Sequence, residues 1–201
     1  MIKAIIFDFG GPIVEWESPM KKVFGKHEDH HNLERDTLHT LFSDYFHASD
    51  VGAFHSITEF IEKTKPSISM TVEELNEVFD EANASMYVRP EIIDFILELK
   101  KEYKVALLSN FTSGLEMFLQ DVFNIYHLFD VVVSSYNVKM KKPDPRIYEH
   151  TLEQLGVKAD EAVFTDDLEV NIEGAAKLGI HSIRFENSEQ CMNDMRALLS
   201  K

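Results

Sequence analysis

The fold turns on Ile2-Lys3-Ala4-Ile5-Ile6-Phe7-Asp8-Phe9-Gly10-Gly11-Pro12. Ile2 to Phe7 is β-branched, aromatic and almost wholly apolar, the pattern of a strand buried on both faces in a parallel sheet. Gly10-Gly11-Pro12 must break that strand, so the run delivers Asp8 to a strand end.

The same punctuation recurs downstream. Val105-Ala106-Leu107-Leu108 leads into Ser109-Asn110, Val131-Val132-Val133 into Ser134-Ser135, and Ala162-Val163-Phe164 into Thr165-Asp166-Asp167. A weaker fifth run spans His181 to Phe185. Helical patterns separate these strands. Pro90 to Lys101 opens on proline, with apolar residues at Ile92, Ile93, Ile96, Leu97 and Leu99. Pro145 to Leu155 and Glu169 to Leu178 stop at Gly156 and Gly179, as helices do. Alternation of this kind predicts an α/β fold with a Rossmann-like, doubly wound parallel sheet. Ligands of such sheets sit beyond the carboxyl ends of the strands. There Asp8, Ser109, Ser134 and Asp166-Asp167 are expected to converge.

Residues 15–88 break the alternation. They read as helices over Leu33 to Phe46, Ile57 to Lys63 and Val72 to Met86. Ser56-x-x-Glu59 and Thr71-x-x-Glu74 both match a capping box. The expected organisation is an α/β core of residues 1–14 and 89–201, with a helical cap inserted at 15–88.

The 201 residues suffice for a well-buried core with an insertion. A net charge of −15 argues against nucleic-acid and anionic-membrane partners, which need a cationic surface. No stretch reaches the roughly 20 apolar residues of a membrane helix, and the opening apolar run is too short for a signal peptide. The single cysteine, Cys191, excludes an intrachain disulfide and fits a reducing compartment, so the cytoplasm is the expected location.

Four segments then acquire a joint meaning. Asp8-Phe9-Gly10-Gly11-Pro12-Ile13-Val14, Leu107-Leu108-Ser109-Asn110, Lys142-Pro143-Asp144-Pro145-Arg146-Ile147-Tyr148 and Phe164-Thr165-Asp166-Asp167-Leu168-Glu169 stand in that order across the chain. Together they resemble the four motifs of the haloacid dehalogenase-like hydrolase superfamily, in its capped phosphatase branch. The resemblance implies that Asp8 is a covalent nucleophile and that Mg²⁺ is held by Asp8, the Gly10 carbonyl and Asp167. It also implies that Ser109 and Asn110 bind the phosphate, that Lys142 neutralises both the phosphate and Asp8, and that Asp166 supports the site.

Phosphate-ester hydrolysis needs these parts: an in-line nucleophile, cations for the phosphoryl oxygens, and help for the leaving group. A hard cation with few carboxylates is what Mg²⁺ prefers. Lys139, Lys141 and Arg146 are expected to add a basic cluster beside Lys142 in an otherwise acidic chain.

One position departs from the resemblance. Its phosphatases carry a second Asp two residues after the nucleophile, as general acid on the leaving oxygen; here that residue is Gly10. General acid–base help is worth ~10²–10⁴-fold, so the expected substrates are small phosphorylated metabolites with good leaving groups, such as a sugar 1-phosphate or an acyl phosphate. Glu15, Glu17 and Asp166 are candidate replacements for the acid. Two other readings stay open: a catalytically weakened domain that binds a ligand or protein, and a dehalogenase, against which Asp166-Asp167 weighs. A response-regulator receiver is excluded, because Lys142 precedes the acidic pair.

The remaining features read more plainly. His27-Glu28-Asp29-His30-His31 lacks the spacing that puts two imidazoles on one helical face, and is expected to be a solvated loop. Phe42, Phe46, Phe54, Phe60, Phe79 and Met86 are expected chiefly to pack the cap, some facing the site. Glu73 to Glu81 reads as a solvated helix face, and Cys191 as a poor nucleophile. Trp16, beside the first motif, is assigned to the substrate pocket.

Overall fold

The computed structural model describes residues 1–200. In chain order, β1 (Ala4–Phe7) and the short β2 (Val14–Glu15) precede α1 (Glu17–His31), α2 (Thr37–Ser49), α3 (Ile57–Thr64) and α4 (Val72–Ser85). Next come β3 (Tyr87–Val88), α5 (Pro90–Leu99), β4 (Lys104–Ser109), the one-turn α6 (Leu115–Met117) and β5 (Val131–Ser134). The chain closes with the short α7 (Ser135–Val138), α8 (Pro145–Leu155), β6 (Ala162–Asp166), α9 (Glu169–Lys177), β7 (His181–Arg184) and α10 (Ser188–Leu199).

The main sheet has five parallel strands in the order β5-β4-β1-β6-β7. Side chains alternate between its faces, as the period of two requires. Ile5, Phe7, Val105, Leu107 and Val163 pack on one face, with α5 and α10. Ala4, Ile6, Ala106, Leu108 and Phe164 pack on the other, with α8 and α9. Since both faces are covered, β1 has no polar position to spare. From β1 the strand order runs outward in both directions, so a crevice opens where β4, β1 and β6 end. The doubly wound α/β expectation holds.

The helical block differs in three ways from its sequence reading. A fifteen-residue helix, α1, had no counterpart there. Its buried residues, Met20, Val23, Phe24 and Glu28, keep a three-to-four spacing, but Lys, His, Glu and Asp around them mask the apolar stripe. The segment His27 to His31 is therefore not a loop; it is the last turn of α1, and Glu28 is buried, accepting the Leu38 N–H at 2.9 Å to cap α2. Finally, α2 starts at Thr37 rather than Leu33, because Asp36 takes a left-handed backbone (φ 65°) incompatible with a helix interior.

Both capping signals are used, unequally. Thr71 and Glu74 form a complete capping box. Ser56 accepts the Glu59 N–H, but the Glu59 carboxylate turns to the His55 N–H.

Two dipeptides too short for any periodicity signal, β2 and β3, pair antiparallel, with Val14 opposite Val88 and Glu15 opposite Tyr87. The insert thus leaves and rejoins the core at one point. Its apolar interior and one face of the sheet belong to a single buried cluster, with Phe46 of α2 against Phe111 of the core. No helix among the described residues is long and apolar enough to cross a membrane.

Candidate active site

Three of the four strand ends meet as expected. β1 delivers Asp8, β4 delivers Ser109, and β6 runs into Asp166-Asp167. Ser134 does not join them: it is buried, its hydroxyl directed to the Phe111 carbonyl at 3.5 Å. β5 lies at the sheet edge, one strand beyond β4, too far from β1 to share its crevice.

Lys142 organises the floor. Its ammonium sits 2.8 Å from Asp8 Oδ1 and 2.6 Å from Asp166 Oδ2, with the side chain almost wholly buried. Its backbone is fixed by Asn110, whose amide donates to the Lys142 carbonyl at 2.9 Å and accepts the Lys142 N–H at 2.8 Å. Asn110 lines the cavity, yet its side chain is a clamp on the lysine. Asp166 accepts from Lys142, from the Leu168 N–H at 2.8 Å and from Asn171 Nδ2 at 3.0 Å. It is inaccessible, and so acts as an anchor for the lysine.

Asp8, Asp166 and Asp167 each offer a carboxylate oxygen within 4.8 Å of the others. Against these three negative charges, Lys142 is the one lysine or arginine lining the cavity. Burial pushes the Asp8 carboxyl up to about 7; Lys142 opposes that rise, and the charges of Asp166 and Asp167 add to it. Burial and the Asp166 charge also raise Asp167. Burial works against the Lys142 ammonium, but Asp8 and Asp166 outweigh it and hold its pKa above the usual lysine value. A buried acidic site with excess negative charge and oxygen-only donors suits a hard divalent cation. No described N–H is directed to the Gly10 carbonyl. Gly11 makes the cluster possible: its φ is +87°, and a Cβ there would lie 2.8 Å from Asp167 Cγ.

Above this floor is a cavity of about 340 Å³. Trp16, Met20, Phe24, Phe42, Phe46 and Met86 come from the insert side, and Phe9 and Phe111 from the core. Of the aromatic residues assigned to the helical block, Phe42 and Phe46 face the cavity. Phe79 stacks behind Phe42 at 5.4 Å, and Phe54 packs on Phe60 at 5.2 Å. Trp16 lines the cavity beside Gly10.

The expected basic cluster does not form. Lys141 pairs with Asp50 at 3.1 Å, Arg146 with Asp144, and Lys139 lies over the Tyr136 ring; none lines the cavity. The candidate acids fare no better. Glu15 pairs with Arg89 and Glu17 with Lys21, and neither lines the cavity, while Asp166 is committed to Lys142. Cys191 is buried in α10 against Thr165, where burial raises its thiol pKa, the setting of an inert cysteine.

Sequence reasoning missed His39, Ser43, His47 and Asn83, which bring polar groups to the cavity wall. The first three stand four residues apart on α2, so the i, i+4 spacing of a helix face carried the signal. Asn171, which holds Asp166, was also missed.

A family model described as haloacid dehalogenase-like hydrolase matches residues 2–179. The chain belongs to that family. It is 45% identical over 71 residues to the mouse protein "Acyl-CoA dehydrogenase family member 10", covering 35% of this chain and 7% of that protein. For this and five more of its curated relatives, the chain spans 7–44% of the relative's length. It is 22% identical to "Sesquiterpene phosphatase astK" of Aspergillus oryzae, over 98% of this chain and 96% of that one. Among solved structures, an HAD family enzyme of Bacteroides thetaiotaomicron in complex with magnesium and inorganic phosphate superposes with a TM-score of 0.69. The pair is 22% identical, covering 92% and 94% of the two chains, a likeness of fold.

Proposed function

We propose that this HAD-family hydrolase is a Mg²⁺-dependent phosphatase for a small phosphorylated metabolite, with Asp8 as nucleophile. In this reading residues 1–14 and 89–201 form the catalytic core, residues 15–88 are its cap, and the cytoplasm is its compartment. The observation that carries it is the pairing of Lys142 with Asp8 at the floor of a cavity, with Asp167 alongside.

Asp8 attacks phosphorus in line, the ester oxygen departs with the bonding pair, and water then hydrolyses the aspartyl-phosphate. Ser109, at the adjacent strand end, donates its hydroxyl to a phosphoryl oxygen, and so does the N–H of Asn110. Lys142 favours the ionised form of Asp8 and orients it, then faces the negative charge of the transferred group. Asp8, the Gly10 carbonyl and Asp167 are the residues that would hold Mg²⁺. When bound, it would offset charge on the phosphoryl oxygens. The cap walls keep bulk water from the first step.

The aromatic lining favours a substrate whose organic part has a large apolar surface over a bare sugar. The name of the Aspergillus relative, a sesquiterpene phosphatase, agrees with that direction. His39, Ser43, His47 and Asn83 leave room for one or two polar groups on it.

Turnover of acetyl phosphate and para-nitrophenyl phosphate, with and without Mg²⁺, tests the reading. Metal-dependent hydrolysis that is lost in Asp8→Asn is expected. No turnover of either compound, with Mg²⁺ binding intact, would leave a ligand-binding domain instead.

A further inference from the structure

The place of a side chain at position 10 is not vacant. A Cβ on Gly10 would lie 3.1 Å from Nε1 and 3.3 Å from Cδ1 of Trp16, so the N–H edge of the indole stands where that side chain would begin. Trp16 precedes α1 directly and lines the cavity together with Asp8 and Gly10. Several nearby acceptors are engaged elsewhere, and the Gly10 carbonyl takes no described N–H. The Phe9 carbonyl takes the N–H groups of Ile13 and Val14, the Gly11 carbonyl takes Arg89, and the Glu15 carboxylate takes Arg89 and the Ser18 N–H. Among the described residues, no acceptor takes the indole N–H.

We propose that Trp16 Nε1–H stands in for the missing proton donor, as a hydrogen-bond donor to the leaving oxygen. This rests on the phosphatase reading above. Indole is a donor only and does not titrate near neutrality, so the reaction changes in a defined way. The Asp8 oxygen bonds to phosphorus, the ester P–O bond breaks, and its electron pair stays on the leaving oxygen. Trp16 solvates that developing anion and keeps its own proton; the departing oxyanion takes one from water. A donor of this kind stabilises charge but cannot neutralise a strongly basic alkoxide. The site therefore selects phosphate esters of acidic hydroxyls, with aryl phosphates the class that also matches the aromatic walls.

A leaving-group series tests this directly. The kcat/KM of wild type and Trp16→Phe is measured with Mg²⁺ on phenyl phosphates, from para-nitrophenyl to para-methoxyphenyl. Phenylalanine keeps the ring packing and removes the N–H. The variant is expected to lose activity on every ester, least on para-nitrophenyl phosphate and by on the order of 10²-fold more on the most basic phenol. An equal loss across the series, or none, overturns the role of Trp16 and leaves the phosphatase reading standing. A wild type that hydrolyses no ester overturns both.

A second measurement does not depend on turnover. Trp16 is the one tryptophan, so its indole gives a single ¹⁵N–¹H signal. In Asp8→Asn with Mg²⁺, phenyl phosphate is expected to move that proton downfield, and inorganic phosphate, which has no ester oxygen, to move it much less. Equal movement with both would overturn the proposal.

Discussion

Arg89 reaches across the neck of the helical insert and donates its Nε–H to the Gly11 carbonyl at 2.9 Å. The same guanidinium pairs with Glu15, its own N–H bonds the Ile13 carbonyl, and its plane lies 5.4 Å over Phe185. One residue just past the returning strand thus fixes the turn that carries Gly10 and Gly11. A hydrogen bond to a charged group in a part-buried place is worth about 1.5–3 kcal/mol. With roughly 2–4 °C per kcal/mol at this chain length, Arg89→Ala is expected to lower the melting temperature by about 3–12 °C. Its kcat should fall as well, because the loop beneath the phosphate loosens. Arg89→Lys, which keeps the charge but not the planar fork, should recover only part of either; full recovery would show that charge alone matters.

Lys142 is the sole counter-charge for two buried carboxylates. Removing one partner of a buried pair costs ~3–5 kcal/mol, so Lys142→Met should unfold at clearly lower temperature. The deficit should grow with pH, as the Asp8 carboxyl is made to ionise without its counter-charge. Calorimetry at pH 5 and pH 8 checks this; a variant equally stable at both would contradict the charge argument.

Asn110 predicts a different signature. Asn110→Ala removes two hydrogen bonds that hold the Lys142 backbone, at about 0.5–1.5 kcal/mol each. The lysine remains, so the fold should survive with a modest loss. A misplacement of ~1 Å can cost ~10²-fold in rate. A selective fall in kcat, with KM for para-nitrophenyl phosphate little changed, is the expected result.

The acidic floor sets a pH dependence whose sign follows from Asp8. Its folded pKa is raised from 3.8 to about 7. Between those values the folded form holds a proton that the unfolded chain has released. The Asp8 contribution to stability is therefore greatest below pH ~4 and declines as pH rises to about 7. In chelator, wild type should lose stability over that interval relative to Asp8→Asn. Mg²⁺ should restore it, most strongly at the upper end, and Asp167→Asn should blunt the rescue. Thermal melts with and without metal read all three. A Mg²⁺ effect independent of pH would speak against metal binding at these carboxylates.

Legibility followed the length of the pattern. The core strands were readable because each buries both faces, leaving unbroken apolar runs that end in Asp8, Ser109 and Asp166. Only Ser134 misled, since a strand's place in the sheet order is not written beside its own end. In the insert, α1 was lost because Lys, His and Glu dilute its stripe, although Met20, Val23, Phe24 and Glu28 keep the period. The β2–β3 pair offers two residues a side, too few to alternate. Charges misled most: Lys141 and Arg146 are near Lys142 in sequence, but each finds a closer carboxylate. Which aromatic residues face the cavity depends on how helices rotate against one another, and no single helix encodes that.

Because Val14 and Glu15 lie against Val88 and Tyr87, everything from residue 16 to residue 86 departs from and returns to one spot on the core. Such a segment is a cassette. A different block of helices could be grafted at the same two dipeptides without moving β1, and Asp8 would keep its place while the choice of substrate changed hands. Simple excision is another matter, since the apolar face that the helices and the sheet now share would be left wet.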